Sequence, residues 1–302
     1  MKGTIRFYEN GELVHEQSNL VTTLGNQHIL RHFSGIEKGI AQSIAVGVGD
    51  TAAAVGDTEL EFEIEQADVL LVSPDFTEET VIFKGRLSRG LEAIISEAGL
   101  WSVPEIGRSD LGRMLFRFED TDGWDAGTYD NTNTKIGNNS LVLNPALSTT
   151  ETAVIANDPD LGGVGLTLDF STMGAAQPFK LAADVADANC ESIEIMFRTD
   201  ASNYYTLTIA TPAVGYDIFD LVKGSAVATG TPDWANITQA AIAVTAEAGG
   251  ASQVDFDGLR VERFDGSDVD AVLVTHAILS TPYVKTGDRA TDVEYSLSVA
   301  VT

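Results

Sequence analysis

Trp124, Tyr129, Tyr204, Tyr205, Tyr216 and Trp234 are the side chains of this sequence best suited to chemistry at a surface. An aromatic ring stacks on the apolar face of a pyranose. Nearby Asp, Asn or Gln side chains then hydrogen-bond its hydroxyls, so such residues point to carbohydrate as a ligand. Neighbouring positions on a strand face opposite ways, so Tyr204 and Tyr205 divide between two faces, and one of them is expected at the surface. Trp124 and Trp234 have a competing reading as core or rim residues, because Trp is well buried on average. A sugar contact is expected from Tyr129 or Tyr205, with Tyr204 and Trp124 as further candidates.

Catalytic signals are poor. A glycosidase needs two carboxylates a few ångströms apart. With 45 acidic residues, chance pairs abound and no motif selects one. There is no Gly-x-Ser-x-Gly elbow and no His-Glu-x-x-His zinc motif. Gly47 and Gly49 precede Asp50, but no Gly-Lys-Ser/Thr follows, which excludes a P-loop and leaves a tight turn. His28 and His32 are four apart and share a helix face. Without a third ligand this spacing describes a surface or interface pair better than a metal site. Cys190 stands alone, so no disulfide forms within the chain and no thiolate cage is available. The chain is expected not to be an enzyme.

Composition narrows the partners. The 302 residues carry 45 acidic and 18 basic side chains, a formal net charge of −27. Such a surface repels phosphate backbones and anionic membranes, which argues against nucleic-acid binding and membrane docking. The acid is spread along both halves. It reads either as an ordinary acidic protein or as one adapted to high salt, where screening suppresses self-repulsion and carboxylates keep the chain hydrated. No apolar run reaches the ~18 residues needed to span a bilayer. The first residues, Met1 to Arg6, lack an apolar signal region. Synthesis in the cytoplasm is expected, with export by assembly and lysis.

The elements that must position these residues are mostly short strands. Asn10-Gly11 between two mixed runs is a strong hairpin signal. Leu24, Ile29, Leu30 and Phe33 lie near helical spacing, with Gly35 as a stop. Strands are predicted at Ile44–Asp50, Ala67–Val72, Thr80–Leu87 and Ile94–Trp101. At the far end they are predicted at Ala271–Ile278, Thr281–Lys285 and Val293–Val301. Between them, about Phe116 to Phe264, lie further strands at Ser140–Leu143, Gly165–Phe170, Phe179–Val185, Ser192–Phe197, Tyr204–Ile209, Ala240–Ala246 and Val254–Val261. Regular short strands with no long helix predict a sandwich.

Three stretches in this order, Ile44–Asp50, Asp57-Thr58-Glu59-Leu60 and Glu97-Ala98-Gly99-Leu100-Trp101, resemble a small β-rich domain of tailed-virus virion proteins of tail, baseplate or capsid-turret type. That family continues from the Gly-Leu-aromatic element into a Thr-Pro strand and a closing Glu-Tyr strand. Here those strands are Thr281–Lys285 and Val293–Val299, about 180 residues later than expected. The expectation is a discontinuous domain of residues 1–115 with 266–302, and an inserted domain of 116–265. The insert resembles carbohydrate-binding jelly rolls through Phe118–Trp124, Trp234–Thr238 and Asp255–Val261. The fold class expected is therefore mainly β: a β-rich virion scaffold with one short helix, carrying a β-sandwich.

The jelly-roll resemblance implies a structural Ca²⁺ tying first strand to last. Glu119 and Asp120 near the start, with Asp255 and Asp257 near the end, hold the matching positions. Against this stands the reading that they face solvent on an acidic surface. The virion resemblance implies assembly with other virion proteins and with copies of itself, at the particle surface, in contact with host cell-surface glycan or glycoprotein. A haloarchaeal tailed virus suits the acidic composition. The alternatives are a purely structural turret, decoration or tail subunit and, after that, a glycan depolymerase.

Overall fold

The structure, a computed structural model, describes residues 2–37, 39–102, 114–159, 164–262 and 271–298. Its elements, in chain order, begin with β1 (Lys2–Glu9), β2 (Glu12–Val21), α1 (Thr23–Phe33), β3 (Ser43–Gly47), β4 (Glu63–Asp75), β5 (Thr80–Leu87) and β6 (Ala93–Trp101). Then come β7 (Met114–Phe116), β8 (Thr128–Asp130), β9 (Ser140–Leu143), β10 (Thr150–Ile155), β11 (Pro178–Val185), β12 (Cys190–Asp200) and β13 (Asn203–Ala210). The last are β14 (Gly215–Val222), β15 (Val227–Thr229), β16 (Gln239–Ala246), β17 (Val254–Val261), β18 (Leu273–Lys285) and β19 (Thr291–Ser298). The chain divides into two compact units, Met1–Ile106 with Gly266–Thr302, and Gly107–Asp265. The first unit is thus made of two separate segments, and the second is inserted between them.

In the first unit eight antiparallel strands close a barrel in the order β1-β19-β5-β4-β3-β6-β18-β2. Alternation places Ile5 and Phe7 of β1, Val293, Tyr295 and Leu297 of β19, and Phe83 of β5 inside, all fully or nearly fully buried. Each such side chain contributes about 1.5–3 kcal/mol by leaving water. The opposite face of the same strands is charged. Arg6 bridges Glu16 and Glu294, Lys84 joins Glu294 at 2.8 Å, and Arg86 pairs with Asp292. The turn between β1 and β2 is the expected hairpin. Asn10 and Gly11 both take positive φ (50° and 86°), as a two-residue turn matched to strand twist requires.

The helix forms where its cap signal lies. Thr22 Oγ1 accepts the backbone N–H of Gly25 at 2.8 Å, satisfying one orphan donor of the first turn. Gly25 lets α1 approach β18 closely: a Cβ there would sit 2.2 Å from the Val274 carbonyl oxygen. Of the apolar residues that predicted the helix, only Ile29 is buried, while Leu24, Leu30 and Phe33 are exposed. His28 and His32 bond the carbonyl oxygens of Gly39 and Glu37, so the pair secures the segment after the helix.

The second unit is a β-sandwich. One sheet has the order β10-β16-β12-β13-β15; the other runs β14-β11-β17-β9-β8, with β7 also paired to β17. Between them lie Phe179, Leu181 and Val185 of β11, Ile193, Ile195 and Phe197 of β12, Ile242 and Val244 of β16, and Val254, Phe256 and Leu259 of β17. The chain is mainly β with one α-helix among the described residues, in the fold class expected.

Some strands differ from expectation. Gly165–Phe170 forms only isolated bridges, Asn157 with Gly165 and Leu168 with Ile237. Ala271–Ile278 and Thr281–Lys285 merge into β18, whose register against β6 shifts between Ile278 and Tyr283. The end of the predicted Val293–Val301 strand lies outside the described residues.

Candidate functional site: an open sandwich face and the buried carboxylates

The outer face of the five-stranded sheet carries an aromatic side chain beside a cation. Register sets Tyr204 of β13 opposite Arg198 of β12 and opposite Thr229 of β15, and sets Arg198 opposite Gln239 of β16. One row of side chains thus crosses four strands. The Arg198 guanidinium lies 5.7 Å from the Tyr204 ring centre. Tyr204 packs on a floor of Met196, Ala241 and Ala243 and is itself half-buried. The small alanines set the floor of this face low. Arg198 makes no ion pair among the described residues, and its Nε has no hydrogen-bond partner.

Tyr205 points the other way, as adjacent strand positions must. Its ring stacks flat on Trp234, centroids 3.9 Å apart at 3°, and its hydroxyl donates to the Pro232 carbonyl oxygen at 2.9 Å. Trp234 then contacts Phe170, Phe179 and Phe197 of the core. Lys223 Nζ sits 5.4 Å from the Trp234 ring centre while donating to two backbone carbonyl oxygens. This is the rim reading of Trp234, and one face of Tyr205 is committed to it. Tyr205→Phe should therefore cost about 1 kcal/mol of stability in a denaturant titration, the worth of the hydroxyl contact alone.

Trp124 is a core residue and no sugar platform. It is 8% exposed and packs against Phe116 and Phe118, centroids 5.4 and 5.1 Å away. Tyr129 is half-buried on β8, in the other sheet from Tyr204, and burial raises its phenol pKa. Tyr216 is engaged as well: its hydroxyl donates to Asp257 at 2.7 Å and Lys135 Nζ lies 3.9 Å over its ring. The aromatic candidates do not share one face. Of them, Tyr204 stands on the open one.

The four acids proposed for calcium do not fit a metal ion as arranged. Asp257 accepts from Thr134 Oγ1, the backbone N–H groups of Lys135 and Ile136, and Tyr216. Asp255 accepts from Asn133 Nδ2 at 2.7 Å and Gln253 Nε2 at 2.9 Å. Glu119 accepts the backbone N–H groups of Asn138 and Asn139, and Asp120 is exposed. The oxygens of Asp257, Asp255 and Glu119 that would ligate Ca²⁺, which needs six to eight, already face N–H and O–H donors. Among the described residues no group of three or more His, Cys, Asp or Glu is placed to hold a metal. Asp257 and Glu119 instead pin the loop 131–139, whose backbone donors they satisfy, and Asp255 holds the Asn133 side chain. Three acids in this region have raised pKa values. Burial lifts Asp257 to about 6 against the pull of its donors, and burial lifts Asp122 to about 6, with the charge of Glu119 adding to it. Glu119 is raised too, chiefly by burial.

A second polar centre lies in the barrel. Glu97, fully buried on β6, accepts N–H groups from Gly49 at 3.0 Å, Glu61 at 2.8 Å and Phe62 at 2.7 Å. His276 of β18 lies between Glu97, at 3.3 Å, and Asp57, at 2.6 Å. Gly47 and Gly49 serve this carboxylate: a Cβ at Gly47 would fall 2.3 Å from Glu97 Oε1. His276 bonds the Asp57 and Glu97 carboxylates, and the arrangement acts as a clamp on the 49–62 loop. The sequence signal was a charge in the middle of an apolar strand, preceded by two glycines that only a close approach explains.

No family model matches the chain, and no curated protein matches it. Several solved structures are similar in fold. A family 11 carbohydrate-binding module from Clostridium thermocellum, in complex with a β-1,3-1,4-mixed-linked tetrasaccharide, is similar over 51% of this chain and 97% of its own, at 14% identity and TM-score 0.38. A non-crystalline-cellulose-specific module, CBM28, is similar over 52% of this chain and 99% of its own, at 19% identity and TM-score 0.32. PfGH50B is similar over 46% of this chain, which spans 22% of that protein, at 11% identity and TM-score 0.30. These are likenesses of fold.

Proposed function

We propose that this is a non-enzymatic surface protein of a tailed-virus particle. The barrel unit joins it to the particle, and the inserted sandwich contacts host cell-surface glycan. The observation that carries the glycan reading is the open row Thr229–Tyr204–Arg198–Gln239, an aromatic ring and a cation with no ion pair among the described residues, over a small-residue floor. A ring of this kind suits the apolar face of a sugar, and Arg198 suits a carboxylate or sulfate on it. The order of sequence elements described above supports the virion role. Single contacts of this size are weak, and display of many copies on a particle raises their effective concentration.

The test is binding of the full chain, displayed multivalently, to a panel of neutral, carboxylated and sulfated oligosaccharides. Saturable binding is expected. Tyr204→Ala is expected to weaken it about tenfold, or about 1.4 kcal/mol, while the chain remains folded by circular dichroism. Arg198→Ala is expected to remove any preference for the acidic members. Failure to bind any member overturns the glycan reading and leaves a particle-building subunit.

A further inference from the structure

The barrel closes along only part of two of its seams. β4 pairs with β3 through Glu63–Asp68, and beyond Asp68 only the Val69 N–H reaches across, to the Gln42 carbonyl oxygen. Residues 70–75 of β4 therefore pair on one side alone, with β5. On the other margin, β2 pairs with β18 only at Leu20 and Val21, so residues 12–19 pair on one side with β1. Between these margins runs one continuous antiparallel sheet, β2-β1-β19-β5-β4. Among the described residues, its two outer strands have unsatisfied backbone edges.

The β4 edge opens on an apolar run and ends at Pro74 and Asp75, and the β2 edge sets Leu13 and Val14 beside Glu12, His15 and Glu16. Leu70, Leu71 and Val72 are consecutive and 71%, 51% and 52% exposed; Leu13 and Val14 are 51% and 46% exposed. Phe76, in the turn after β4, is 87% exposed. The residues from Val69 to Ser73 carry no charge in a chain where 21% of residues are charged. The inner strands of the same sheet carry the ion-pair ladder of Arg6, Glu294, Lys84, Arg86 and Asp292, which Glu16 joins from β2. Soluble proteins blunt free edges with charge; β2 carries Glu12 and Glu16, whereas Val69–Ser73 of β4 carries none.

We infer that the free edge of β4 pairs with the free edge of β2 in a second copy of this chain. Four antiparallel steps separate the two strands, so β2 and β4 run in the same direction within a subunit. Rotation of a neighbour about an axis along the strands therefore sets them side by side, with stretches of similar length. A two-fold pairing of β4 with β4 would cover one edge and leave β2 open; the head-to-tail contact covers both. Such a contact repeats from copy to copy and yields a ring where the rotation closes, or a helical stack where it does not. This deepens the assembly role proposed above, and its failure leaves the glycan test untouched.

Sedimentation velocity of the full chain in low and multimolar NaCl tests the pairing. Species larger than a dimer are expected, growing with concentration. Leu71→Lys blocks the β4 edge and Val14→Lys the β2 edge; each alone is expected to be monomeric and to melt as the parent does. An equimolar mixture of the two is expected to form dimers and nothing larger, because one good edge of each kind remains. A parent chain that stays monomeric at about 100 μM, a typical working range for weak association, overturns the inference. So does a Val14→Lys variant that still self-associates, which would point to two-fold pairing.

Discussion

Glu97→Gln is expected to destabilise the barrel unit by about 3–5 kcal/mol, the usual loss when one partner of a buried charged network is removed. The carboxylate is fully buried, and both oxygens accept: Oε1 from Gly49 and Phe62, Oε2 from Glu61 and His276. Glutamine keeps the shape and loses one acceptor. Its NH₂ would face N–H groups, leaving donors opposed at a fully buried position. Burial pushes the Glu97 pKa up, but the hydrogen bonds from His276 and the backbone of Phe62 and Glu61 outweigh it and hold the group below its usual 4.5. Burial lowers His276, yet its bonds to Glu97 and Asp57 hold it above its usual 6.5. A lowered acid stabilises above its unfolded value and loses this as pH falls through the folded one. A raised base stabilises below its unfolded value and loses this as pH rises through the folded one. The clamp therefore contributes fully between about pH 4.5 and 6.5 and weakens on either side. Hydrogen exchange of the β3 and β6 amides as a function of pH measures this. Faster exchange across that window in Glu97→Gln, with β11 and β17 unchanged, is the expected result; equal protection in both proteins would sink the clamp.

Much of the architecture was legible because local chemistry and global fold agree at particular residues. Asn10-Gly11 can hardly do anything but turn a hairpin, and the turn is there. The alternation Val293, Tyr295, Leu297 lines the barrel as a period-2 strand should. Legibility failed where tertiary context decides. Gly165–Phe170 has strand composition, but its backbone partners are two isolated bridges. Leu30 and Phe33 marked the helix and yet face outward, because spacing reports a shared face and not which face the core will take. The acids were the hardest to read. Among 45 carboxylates nothing local separates exposed Asp120 from Asp257, which four donors hold. That difference is set by a loop 121 residues away from Asp257 in sequence, at Ile136.

Asp257 should make the sandwich more stable in mild acid, by about 2 kcal/mol between pH 6 and pH 4, at about 1.36 kcal/mol for each unit of pKa displacement. The register shift on β17 skips Asp257, between Gly258 opposite Ala182 and Phe256 opposite Ala183. A bulge of this kind re-aims a side chain, and here the carboxyl meets loop 131–139 in a fully buried position. Loss of water favours the neutral acid and lifts the group from 3.8 to about 6, although four donors favour the anion. The neutral form can be housed. The hydroxyls of Thr134 and Tyr216 can turn to accept the acid proton, while Lys135 and Ile136 continue to donate to the remaining lone pairs. A carboxyl whose folded pKa is raised holds its stabilising proton below the unfolded value. It gives that stability up as pH rises through the folded value, so the loss falls between about pH 3.8 and 6. Asp122, lifted by burial to about 6, adds a slope of the same sign from a different part of the unit. Asp257→Asn carries no titrating proton and should remove the Asp257 share of the slope while leaving that of Asp122. Urea titrations at pH 4, 5, 6 and 7, followed by Trp124 and Trp234 fluorescence and by exchange of β11 and β17 amides, separate the two. Parallel stability profiles in parent and variant would show that Asp257 is ionised throughout, held so by its four donors against its burial.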